Sequence, residues 1–188
     1  MQSVFQQGHG TEEVACRRTL QHYYARPLDR LMEVRLFQSM KRVRGATLTD
    51  LAQVGANLAL EACWSGSAGV SLLDQACPDL GFRWTALTGL VFELPAATSP
   101  RYYSACGECM DAAQPLLFRR PANRFGWMQQ LPVIVHELLV APIFVDGVGL
   151  GTVWTAHHVH TDHFDASDLH YLDTIAELMG GNMWPIRR

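Results

Sequence analysis

The alternation of apolar and polar positions is clearest between residues 137 and 181. Leu138 to Val145 is an apolar run, Asp146-Gly147 follows, and Val148 to Val159 is a second run. That pattern predicts a β-hairpin. Asp-Gly between apolar segments suits a two-residue type I′ turn, because both turn positions need φ > 0. Beyond it, Leu169, Leu172, Ile175, Ala176 and Met179 recur at helical spacing. Asp165 is the expected cap of this helix, Asp168 lies in its first turn, and Gly180-Gly181 is the expected stop.

Before the hairpin the pattern is more varied. Residues 1–10 show no periodicity and are expected to be disordered. Thr11, followed by Glu12 and Glu13, predicts a capped helix to about Tyr24. Pro27 breaks it, and a second helix is expected from Leu28 to about Val43, with Leu31, Val34, Leu36 and Met40 as a loose stripe. Thr47 and Asp50 then form a capping pair before Leu51, Val54, Leu58 and Ala62, which share one helical face. Ala68 to Leu73 reads as a strand, and Phe82, Trp84 and Ala86 alternate with Arg83 and Thr85 in the next. From Gly89 to Gln130 the pattern is lost among Pro95, Pro100, Pro115 and Pro121. A stretch this long is usually functional or disordered, and its aromatics favour ordered loops and short helices across one face of a sheet. The order predicts an α/β (α+β) sheet with its terminal helices packed against it.

Composition narrows the function. With 188 residues and 48% hydrophobic content, the chain has material for one domain with a helical extension. A net charge of −3 argues against a general nucleic-acid surface. No apolar run reaches the roughly 18 residues of a membrane span. The start of the chain also lacks the apolar core of a secretory signal. Five cysteines, an odd number, fit a reduced, cytoplasmic compartment.

Three groups of residues could carry chemistry. Cys106 and Cys109 could form a redox pair, supply half of a zinc site completed by His158 and His160, or simply be small buried side chains. In an extended strand His158 and His160 share a face and His157 takes the other. Such a pair could hold a metal, respond to pH, or line a solvated rim. Arg101 is the candidate anion fork, unless Glu137 or Asp111 holds it in a structural pair. Trp84, Tyr103, Phe125, Trp127 and Trp154 could line a pocket for a flat ligand or be ordinary core. No Ser-His-Asp or phosphate-loop context accompanies them.

Three separated segments resemble the GAF domain, a small-molecule sensing module of bacterial signalling proteins. Ser99-Pro100-Arg101-Tyr102-Tyr103-Ser104-Ala105-Cys106-Gly107-Glu108-Cys109-Met110-Asp111 is similar to the T-P-R-D-F-S-P-C-G-x-x-L-D segment of GAF domains in sensor histidine kinases. Glu137, Leu139 and Pro142 fit E-x-L-L-V-P. Gly151-Thr152-Val153-Trp154, His158 and Phe164-Asp165-Ala166-Ser167-Asp168 fit the later motifs. Tyr102, Ala105, Cys109 and His136 depart from the pattern.

The resemblance spans about residues 46–182. It implies a central antiparallel sheet, terminal helices on one face, and loops or short helices on the other. It also implies a ligand site built from Trp84, Arg101, Tyr103, Cys106, Cys109, Phe125, Trp127, Glu137, Trp154 and His158. The expected role is a non-enzymatic sensor that binds a small molecule between the sheet and residues 89–130 and signals through helix packing; the alternative is a metal-binding or thiol-redox sensor or enzyme using Cys106 and Cys109. Residues 11–45 would mediate a homodimer, residues 183–188 would form a tail, and the signal would pass to a separate partner protein. The resemblance leaves the identity of the ligand and of any cofactor open.

Overall fold

The computed structural model describes residues 14–16, 25–74, 77–91, 98–160 and 163–183. Seven strands form one antiparallel sheet: β1 (Val14–Cys16), β2 (Ser67–Leu73), β3 (Phe82–Gly89), β4 (Thr98–Ser99), β5 (Leu116–Arg119), β6 (Glu137–Val145) and β7 (Val148–His157). Their spatial order is β1-β5-β6-β7-β2-β3-β4, so the expected hairpin lies at the centre. Asp146 and Gly147 have φ of 48° and 77°, the left-handed values a type I′ turn requires.

Helices α1 (Arg30–Arg42), α2 (Leu48–Ala62) and α5 (Ala166–Met183) cover one face of the sheet. Their starts are fixed by local side chains. Asp29 accepts from the Leu31 N–H, Thr47 from Asp50, and Asp165 from Ser167 and Asp168. The Asp168 carboxylate accepts from the Asp165 N–H in return, completing a capping box. The other face carries α3 (Ala105–Ala112), the single-turn α4 (Pro121–Arg124) and a 3-10 turn, Gly126–Gln130. The pleat divides the hairpin between them. Leu139, Ala141 and Ile143 join the helical core, while Leu138 and Val140 join the opposite one.

Several expectations change. Residues 14–16, expected within a helix, instead pair with Leu116–Phe118 as an edge strand; the rest of that stretch, and residues 1–10, lie outside the described residues. Backbone pairing with β5 prevails there over the capping signal. Phe82, Trp84 and Ala86 do not share a face. Val70 pairs with Ala86 and Ser71 with Trp84, so Thr85 is the extra residue of a bulge. Phe82 therefore belongs to one core and Ala86 to the other. The last helix continues through Gly180-Gly181 to Met183; Gly180 serves there as a close-packing residue against the Phe144 carbonyl, where a Cβ would collide. Leu36 and Met40 of α1 are fully buried, so this helix belongs to the helical core, while Leu31, Val34 and Phe37 face outward. No helix among the described residues is long and apolar enough to cross a membrane.

Candidate functional site

Between the sheet and the second layer lies a partly open apolar cavity of about 50 Å³. Ligand pockets are typically several hundred Å³, so this one is small. Trp84, Trp127 and Trp154 form an aromatic wall, with ring centroids 6.4 Å apart for Trp84–Trp127 and 6.3 Å for Trp84–Trp154. Trp154 lies against Gly69, where any Cβ would run into its ring. Its indole N–H donates to Ser71 Oγ at 2.9 Å, which fixes the ring's orientation. Leu138 and Ala156 contribute from the hairpin, and Met128, Leu131 and Val135 from the segment after α4.

Cys106 reaches the cavity from the first turn of α3, and the hydroxyls of Ser71, Ser99 and Thr152 gather round its thiol. Burial pushes that thiol's pKa up, and the three hydroxyls oppose the rise. Ser99 Oγ and Thr152 Oγ1 are buried and make no hydrogen bond of ordinary geometry. A buried polar group left unpaired costs about 1–3 kcal/mol, so two in one place are conspicuous.

Of the ten residues expected to bind a ligand, Trp84, Cys106, Trp127, Trp154 and His158 line this cavity. The others do structural work nearby. Arg101 binds Asp111 at 2.5 Å and donates to the Gly107 carbonyl, so it braces α3 and is not a free anion fork. The hydrogen bond to Asp111 raises the Arg101 pKa, and Asp111 is correspondingly held below the usual carboxylate range. Tyr103 is half exposed; its hydroxyl accepts from Gly126 and its carbonyl from the Trp127 indole. Phe125 is core, edge-on to Phe118 at 5.6 Å.

Glu137 is buried at the start of β6 and accepts from Arg119, His163 and the Phe164 N–H. It therefore ties β5 and the approach to α5 together. Cys109 points away, with its thiol against the Gln114 and Val140 carbonyls, and burial raises its pKa strongly.

The proposed metal set of Cys106, Cys109, His158 and His160 is not assembled. Among the described residues no group of three or more metal-ligating side chains comes together. Strand β7 ends at His157, so His158 and His160 no longer share a strand face. His157 stacks on Phe164 at 4.1 Å, and His160 approaches His136 at 6.1 Å. His158 bridges the Ile134 carbonyl and Ser67 Oγ, each at 2.7 Å, and so pins one rim of the cavity.

Sequence reasoning missed Val91, Ser99, Ser104, Ala105, Met128, Leu131, Val135, Leu138 and Ala156 as lining residues. The pleat could have found Leu138 and Ala156 once β6 was paired with β7. Ser104 follows from its role as cap of α3, accepting from the Gly107 N–H.

The GAF domain family matches residues 41–183. No curated protein matches in sequence. The fold is similar to the GAF domain of an Acinetobacter phosphoenolpyruvate-protein phosphotransferase, at 15% identity and a TM-score of 0.68, covering 85% of this chain and 96% of that one. It is also similar to the free methionine-R-sulfoxide reductase of Neisseria meningitidis, solved in complex with its substrate. There the identity is 20% and the TM-score 0.63, with coverage of 88% and 96%. A far-red absorbing dark-state protein with bound biliverdin IXa matches at 11% identity and a TM-score of 0.66, covering 84% and 99%. The reductase corrects one expectation: enzymes are built on this fold, so the reading of this chain as non-enzymatic is not supported.

Proposed function

The chain belongs to the GAF domain family, and from that premise we propose that it is a cytoplasmic sensory domain that binds a small molecule in the cavity between β7 and α3. The observation carrying this reading is the convergence of Trp84, Trp127, Trp154, Cys106 and His158 on one apolar space. Binding there changes the packing of the 126–135 segment and, through β6 and β7, of α5 on the opposite face. A ligand shifts that equilibrium only by its differential affinity for the two arrangements. The outward Leu31, Val34 and Phe37 of α1 support a homodimer through this helix, with a separate signalling protein as the next partner.

Native mass spectrometry and thermal shift on freshly purified protein test the binding reading. A co-purified small molecule, or a shift with one member of a metabolite panel, is expected, and Trp154→Ala should abolish it. An empty protein with no shift across the panel overturns the proposal. Sedimentation of Leu31→Glu tests the dimer, since a protein whose mass is unchanged by this substitution does not associate through α1.

A further inference from the structure

The floor of the cavity defines the chemistry of what it accepts. Ser99 Oγ lines it, and Ser99 is 2% exposed with no hydrogen-bond partner. Thr152 Oγ1, also near the Cys106 thiol, is likewise buried without a hydrogen bond of ordinary geometry, but Thr152 does not line the cavity. The neighbouring hydroxyls are already engaged. Ser71 Oγ accepts from Trp154, and Ser104 Oγ donates to the Pro100 carbonyl while accepting from the Gly107 N–H. The Ser99 hydroxyl, able to donate or accept, is thus left in the wall of an aromatic-lined space.

Charge is missing from the same space. Among the described residues no carboxylate, lysine or arginine lines the cavity. Arg101, the nearest candidate in sequence, is held by Asp111, and both ring nitrogens of His158 are in contact with Ile134 and Ser67. An ionised ligand would have to be buried without a counter-charge.

We propose that the cavity selects a neutral, flat molecule of about one ring bearing a single hydroxyl, carbonyl or ring N–H, which reaches in to bond Ser99. This rests on the cavity being the binding site. The walls from Trp127 to Val135, which belong to no strand, are the ones able to move outward as a ring enters.

Four probes with one ring and different head groups separate the possibilities. They are benzyl alcohol, toluene, benzoate and benzylammonium, each titrated calorimetrically into the full chain. Benzyl alcohol should bind about tenfold tighter than toluene, as one good hydrogen bond to a buried partner would give, and the two ions should not bind measurably. Ser99→Ala should reduce the preference for benzyl alcohol over toluene, with unchanged circular dichroism, whereas Thr152→Val, which changes a hydroxyl outside the cavity lining, should leave that preference in place. Equal binding of toluene and benzyl alcohol, or binding of either ion, overturns this assignment while leaving the cavity as a binding site. If no ring compound binds, and Trp154→Ala changes nothing in a metabolite screen, the binding site itself is refuted.

Discussion

The two faces of the sheet are packed by different rules. On one, three capped helices interlock with Leu139, Ala141 and Ile143, and buried residues such as Leu36, Leu172 and Ile175 are fully excluded from water. On the other, a two-turn helix, a single turn and a 3-10 turn leave a cavity, two unpartnered hydroxyls and a buried thiol. Close packing makes the first face costly to alter, whereas the second has room to change. Stability and recognition are therefore assigned to opposite sides of the same strands.

The largest expected effect tests that division directly. Leu172→Ala, in the helical core, should cost about 2–5 kcal/mol in denaturant unfolding. Met128→Ala, beside the existing cavity, should cost less than half as much. Equal losses would mean that the faces are not energetically distinct.

A second effect belongs to the helical face alone. Asp168 is buried against Arg26 at 2.5 Å, and burial raises its pKa to about 6 despite that partner. Because the folded state holds this proton more tightly than the unfolded chain, its contribution is present at low pH. It is lost as pH rises through about 6. The loss is on the order of 3 kcal/mol as an upper figure. Urea midpoints between pH 4 and 7 should show this decline, and Asp168→Asn should flatten it. A midpoint in Asp168→Asn that still falls by the same amount would assign the titration elsewhere.

Gly69→Ala sharpens the contrast from the other side. A Cβ there runs into the Trp154 ring and the Ala86 carbonyl, so about 1–3 kcal/mol should be lost, with an accompanying change in tryptophan fluorescence. Unchanged emission would show that the indole is not held where the cavity needs it. The smallest effect is kinetic. With a thiol reagent under native conditions, exposed Cys77 should react first, ahead of buried Cys63, Cys106 and Cys109. Rapid loss of the Cys106 thiol would mean that the cavity opens readily to solvent.

The helical face was largely legible because its signals are local. Thr47 caps α2, Asp165 caps α5, and Asp146-Gly147 makes the central turn, each within four residues of sequence. The cavity face depends on distant partners. Helix α3 reads Ala-Cys-Gly-Glu-Cys-Met-Asp-Ala, too short and too mixed for periodicity, and is held by Ser104 at its start and Ala113 in the left-handed region at its end. The fate of Arg101 depended on which carboxylate it would meet, and that was Asp111, ten residues away. Nothing near Ser99 or Thr152 announces a hydroxyl without a partner. Of the five aromatics expected at the site, Trp84, Trp127 and Trp154 line the cavity, whereas Tyr103 and Phe125 brace the layer beside it.

The bulge at Thr85 has one more implication. It works as a phase change in space: before it, alternate residues of β3 address one layer, and after it they address the other. A chain whose extra residue fell at position 83 instead would pair Trp84 with Leu72 rather than Ser71 and turn it toward the helices. The binding wall is thus inherited as a spacing: two proteins with identical residues around it but the bulge moved by two positions would line the cavity differently.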